Sequence, residues 1–275
     1  MRRIPDGRGQ VRTFLLVLVV AAAAPHARAA DPWEGGGIDD DGPLRVNTLT
    51  HGAVQQHDLD QAGGPPDQDW MHVPTVAGHS YEARITGVNV VFDPGSCGGC
   101  SQFERVTPSL TILQEDDAVV TAGPHESYDR TIRWVATATQ AIGEYIRVTG
   151  DTGIVGSADS VYTIRFWDTT YGIPRWNAAN GQVTVFLIQN MQQKAVTGSI
   201  RLFSSAGVLL HEEPLALGEK QLRVFNVSGV PALVGQSGHA FVAHTAGYGG
   251  LAGKAVALEP STGFTFDTPM QPIPD

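Results

Sequence analysis

The sequence predicts an all-β protein: two consecutive antiparallel β-sandwich domains behind a cleaved signal peptide. Three observations predict it. Glycine and proline number 32 and 17, about 18% of the 275 residues, against about 12% in average usage. Short runs alternate apolar and polar residues with period two between these breakers, and they are rich in β-branched and aromatic side chains. No stretch of eleven or more residues carries a 3.6-residue apolar period. A content of 42% hydrophobic and 17% charged residues excludes a disordered chain, which is charge-rich and apolar-poor. Glycine is not every third residue, which excludes a collagen, and the breakers exclude a coiled coil or helical bundle.

The first element is an export signal over residues 1–29. Arg2, Arg3, Arg8 and Arg12 make a basic region, residues 14–24 (FLLVLVVAAAA) are apolar throughout, and Ala27-Arg28-Ala29 is a small-residue cleavage site. Eleven apolar residues are too few to span a ~30 Å hydrocarbon core. No later segment is longer and equally apolar, so the mature chain is expected to be secreted or periplasmic with no transmembrane segment. Cleavage removes five arginines and one aspartate and moves the net charge from −10 to −14. Such a surface repels nucleic acid and anionic lipid; it equally serves to keep an exported chain soluble.

Residues 30–42, rich in glycine and aspartate, read as a linker. A first domain is expected over 43–171. Its strand signals are 79–91 (with Tyr81, Ala83 and Ile85 on one face), 131–136, 144–149 and 161–167. Gly172-Ile173-Pro174 reads as the domain junction. A second domain over 172–268 has its strand signals at 182–189, 196–203, 208–211, 220–227, 238–244 and 254–258. The run at 182–189 (QVTVFLIQ) is strongly apolar and reads as a central strand. Ser204-Ser205-Ala206-Gly207 and Tyr248-Gly249-Gly250-Leu251 read as turns, and the proline-rich residues 269–275 as a frayed tail.

Four motifs in order carry a resemblance: Asp67-Gln68-Asp69-Trp70-Met71-His72-Val73, then 77–85 (AGHSYEARI), then 108–113 (PSLTIL), then 143–148 (GEYIRV). Over residues 43–168 the chain resembles the bacterial pre-peptidase C-terminal domain, a β-sandwich appended to many secreted proteases and other exported proteins. A cysteine-containing insertion between Asp93 and Phe103 departs from that pattern, as do Met71 and His72. Residues 173–268 loosely resemble the immunoglobulin-like C-terminal modules of secreted bacterial proteins. The first resemblance implies calcium beside the tryptophan strand, with Asp67 and Asp69 as ligands. Calcium takes six to eight oxygens, and an Asp-x-Asp pair offers two carboxylates; the competing reading is a solvated turn.

Cys97-Gly98-Gly99-Cys100 contains both cysteines. There is no second pair to complete a zinc site, so in an exported chain a local Cys97–Cys100 disulfide is expected. The nine histidines show no metal-ligand spacing, and His239 and His244 lie five apart on one expected strand. No G-x-S-x-G elbow is present. Trp70, Trp134, Trp167 and Trp176 are expected in the core rather than as platforms for sugar rings. These readings describe an exported, non-catalytic binding or presentation module that engages polysaccharide or an envelope protein. A secreted hydrolase or its accessory chain is the first alternative, and a structural surface protein the second.

Overall fold

The computed structural model describes residues 47–58, 68–89, 109–113, 119–122, 130–137, 144–149 and 161–273. The expected signal peptide and linker, Asp67, and the Cys97–Cys100 disulfide lie outside the described residues. Among the described residues there is no α-helix, and the fold is all-β with antiparallel pairing in every sheet.

Eight strands precede residue 169. They are β1 (Val54–Asp58), β2 (Gln68–Val73), β3 (Ser80–Asn89), β4 (Ser109–Leu113), β5 (Val119–Ala122), β6 (Arg130–Val135), β7 (Glu144–Thr149) and β8 (Val161–Asp168). They form two four-stranded sheets, ordered β1-β8-β3-β6 and β2-β7-β4-β5. Alternation does the work: in β8, Tyr162, Ile164 and Phe166 are buried while their neighbours are more open. These side chains join Met71, Tyr81, Ile85, Trp134 and Ile146 in one apolar cluster between the sheets.

Nine strands follow. They are β9 (Tyr171–Asn177), β10 (Val183–Asn190), β11 (Val196–Ser204), β12 (Leu209–Leu217), β13 (Leu222–Asn226), β14 (Ser237–His244), β15 (Leu251–Glu259), β16 (Phe264–Pro269) and β17 (Gln271–Pro272). A five-stranded sheet, β12-β11-β14-β9-β17, faces a four-stranded one, β13-β10-β15-β16. Trp176, Phe186, Ile188, Ile200, Leu202 and Val242 centre the second apolar cluster. The apolar run at 182–189 is an interior strand, flanked by β13 and β15.

Two expectations are corrected here. Gly172-Ile173-Pro174 is not a junction but the body of β9, and the chain changes sheets at Thr169-Thr170. Tyr171 already packs in the second cluster. Pro174 and Arg175 together oppose the single residue His239, so proline sits at a bulge, where its missing N–H breaks no ladder bond. Residues 269–275 are not a frayed tail as far as they are described. Met270 is buried in the second cluster, Gln271 and Pro272 pair with β9, and Ile273 N donates to Thr170 O at 3.1 Å.

The two groups of sheets touch along two seams. In one, Trp167 of β8 stacks on Tyr248 at 5.9 Å between centroids, and His51 meets the same ring edge-on at 5.6 Å. Gly247 packs over Glu82 and Arg133. In the other, Arg201 of β11 lies on Gly78 and donates to Ala77 O at 3.1 Å, while His79 meets Phe241 at 5.4 Å.

Candidate functional site

The register of β11 on β14 sets Arg201 opposite Phe241 and Phe203 opposite His239. The intervening Ile200, Leu202, Ala240 and Val242 point into the core and are fully buried. By the two-residue period of a strand, Phe203, His239 and Phe241 therefore share the outer face, where each is half-buried. Phe203 and His239 stack nearly parallel at 5.3 Å; Phe241 lies 5.4 Å from the first and 5.3 Å from the second, tilted against both.

Phe241 faces Gly172 on β9. The absent side chain leaves a groove of about 300 Å³, walled by Phe241 and His239 on one side and by Pro174, Pro272 and Ile273 on the other. The bulge at Pro174-Arg175 opens a second hollow of about 360 Å³ beyond His239, lined by Arg175, Asn177, Ser205 and Ser237. Pro174 and His239 border both. The bulge is pinned from inside, because Trp176 Nε1 donates to His239 O at 2.9 Å. The arrangement is an apolar, ring-bordered groove with a polar end. It can hold a ligand, and apolar ring faces and edges pack well against C–H groups.

Asp69 is fully buried on β2, in a strand and not in a solvated turn. Its carboxylate accepts the Tyr162 phenol and lies 3.8 Å from His57 Nδ1. Asp67 lies outside the described residues. Among the described residues no group of three His, Cys, Asp or Glu side chains converges where a metal can sit.

The described histidines make separate contacts. His79 Nδ1 pairs with Asp168 Oδ2 at 2.8 Å, and His211 pairs with Glu213 at 3.3 Å. Burial lowers the pKa of His72. His244 is 1% exposed and its pKa is lowered to about 4, first by burial, against weaker raising contacts from the Thr169 and Ala246 backbone. Its Nδ1 accepts Ala246 N at 3.1 Å, which fits a neutral ring. Glu144 is pushed upward by burial although Trp134 Nε1 donates to it at 2.5 Å.

Trp70, Trp134 and Trp176 are buried, as expected, and Trp167 is taken up by the seam. The half-exposed rings of the outer face are Phe203, His239 and Phe241, the last of which also meets His79 at the second seam. The alternation in 238–244 (GHAFVAH) carries the signal for two of them; the third emerges only from the β11–β14 register.

No family model matches this chain, and no curated protein does. Solved structures include a glycosyl hydrolase family 2 member from Bacteroides cellulosilyticus DSM 14838, at 9% identity over 80% of this chain and 28% of that one, TM-score 0.19. A calcium binding mutant of Bacteroides uniformis beta-glucuronidase 2 overlaps at 9% identity over 76% and 27%, TM-score 0.19. A beta-glucuronidase from glycoside hydrolase family 2 overlaps at 11% identity over 90% and 29%, TM-score 0.19. This chain spans less than a third of their length. At such TM-scores the likeness carries nothing over to this protein. Among the described residues no helix is long and apolar enough to cross a membrane.

Proposed function

We propose that the protein is an exported, non-catalytic binding module whose outer face over β11, β14 and β9 takes up a polysaccharide of the envelope or its surroundings. The observation that carries this reading is the trio Phe203, His239 and Phe241, half-exposed beside a groove of about 300 Å³. Ordered aromatic rings at a concave surface gain most by covering the apolar faces of a ligand. The acidic balance of the chain fits a neutral polymer better than an anionic one. Export rests on the residue 1–29 pattern, and the non-catalytic half on the absence of a nucleophile elbow in the sequence.

The test is retention of the exported protein on insoluble neutral polysaccharides and on isolated envelopes, with calcium and with chelator. Saturable retention that drops at least tenfold in Phe241→Ala is expected, in protein that a thermal melt shows to be folded at the temperature of the assay. Retention indifferent to that substitution moves the site elsewhere, and loss of retention in chelator assigns a role to calcium and turns attention to Asp67 and Asp69.

A further inference from the structure

The four-stranded sheet β13-β10-β15-β16 has its core face against the second apolar cluster, through Phe225, Phe186, Ile188 and Ala255. Its opposite face is also apolar. The registers place Val224 beside Leu187, Val185 beside Val256, and Val183 beside Leu258. Val224 is 61% exposed and Leu222 51%. The sequence of β10 shows the same thing in one dimension: it is apolar on both parities, the pattern of a strand covered on both sides. Nothing among the described residues packs on this second side.

The charges on the face decide what covers it. Lys254 and Asp267 are its charged residues, and they pair at 2.5 Å as diagonal neighbours on β15 and β16. The face is therefore neutral on a chain of net charge −10. Two copies of so acidic a chain repel over most of their surface, but not here. A two-fold axis lying in the face and bisecting this pair brings Lys254 of each copy over Asp267 of the other. The charge pattern is self-complementary, as an isologous contact requires.

We propose that this face docks on a second copy of the same chain, sheet against sheet at the ~10 Å spacing of a β-sandwich. Four strands at ~4.8 Å and about six residues at ~3.4 Å give a footprint of roughly 400 Å² per copy. That is about half of the ~800 Å² each partner buries in a standard interface. The dimer is therefore weak and reversible.

Sedimentation equilibrium of the exported protein from micromolar to millimolar concentration tests this. A monomer–dimer equilibrium is expected, weakened at least tenfold by Val224→Asp and by Lys254→Glu. Val234→Asp, equally exposed but off this face, leaves it unchanged. Both face substitutions sit on solvent-facing side chains, and a thermal melt confirms that each variant is folded. A protein monomeric to millimolar concentration, or a dimer indifferent to both face substitutions, overturns the proposal.

Discussion

The two halves of the molecule are built from the same element but not from the same interior. Up to residue 168 the sheets bury His57, Asp69 and Glu144 along with their apolar cluster, and Glu82 is buried at the seam under Gly247. After residue 170 the buried polar residues among those described are Thr184, Asn190 and His244. The first two are neutral and bonded to backbone: Thr184 Oγ1 to Asn177 O at 2.8 Å, Asn190 Nδ2 to Lys194 O and Gly218 O at 2.7 and 2.8 Å. One half is specified by charge pairing and the other by apolar volume. The half that does not depend on internal charges is also the one carrying the ring-bordered groove and the bare aliphatic face.

The contrast is sharpest between a substitution in the second core and one at the charged seam of the first half. Phe186 is fully buried against Phe225 at 6.1 Å. Phe186→Ala is expected to cost about 3–5 kcal/mol through lost transfer energy and the cavity left behind. Glu82 is fully buried and meets Arg133 Nε at 2.6 Å and Arg84 Nη2 at 2.8 Å. Glu82→Gln leaves two guanidiniums facing a neutral group and is expected to cost about 3 kcal/mol, less where Arg84 reaches water. Urea unfolding at low and high salt separates the mechanisms: the Phe186 loss stays constant, and the Glu82 loss shrinks as salt screens the free arginines. Equal salt dependence for both removes the distinction.

The next effect is on pH dependence. His244 binds its proton near pH 6.5 when unfolded and at about 4 when folded. Between those values the unfolded state holds more protons. Stability is therefore full above pH 6.5, falls as pH drops through the window, and has lost about 3 kcal/mol below pH 4. Glu144 acts with the opposite sign: its folded pKa is raised, so it costs stability as pH rises above the ordinary carboxylate value of 4.5. Melting temperature from pH 7.5 to 5 is expected to fall, and His244→Asn to flatten that slope. A slope unchanged in His244→Asn assigns the acid sensitivity to other buried groups.

Much of the fold was legible in the sequence because strands announce themselves by parity. The runs 144–149, 161–167, 182–189 and 238–244 fall on β7, β8, β10 and β14 almost residue for residue. β9 and β17 were not legible. Each contains proline, and each pairs through a bulge or over two residues, so neither shows enough alternation to register. The site was legible in fragments. The parity of His239 and Phe241 is in the sequence, but their meeting with Phe203 and with the gap at Gly172 depends on pairings between distant strands. Asp69 shows the converse: its type and spacing suggest a ligand loop, and only the fold reveals a buried strand residue bonded to Tyr162.

The smallest expected effect tests whether the two halves are coupled at all. Gly78 has φ +76, and a β-carbon there would fall 1.4 Å from Arg201 Nη1. Gly78→Ala thus combines left-handed backbone strain with a clash across the seam, about 1–2 kcal/mol together. The strained part belongs to the turn alone. The clash belongs to the contact, and the flexible end of Arg201 can move to relieve it, giving up its bond to Ala77 O and its place 5.6 Å from the Phe203 ring. Arg201→Ala removes the clash but not the strain. In a double-mutant cycle Gly78→Ala should therefore cost less when Arg201 is already alanine, with a coupling of about 0.5–1 kcal/mol. Strict additivity would mean that Arg201 does not rest on Gly78 in solution. The coupling also predicts that Gly78→Ala, which lies outside the groove, weakens polysaccharide retention slightly by displacing Arg201 from Phe203.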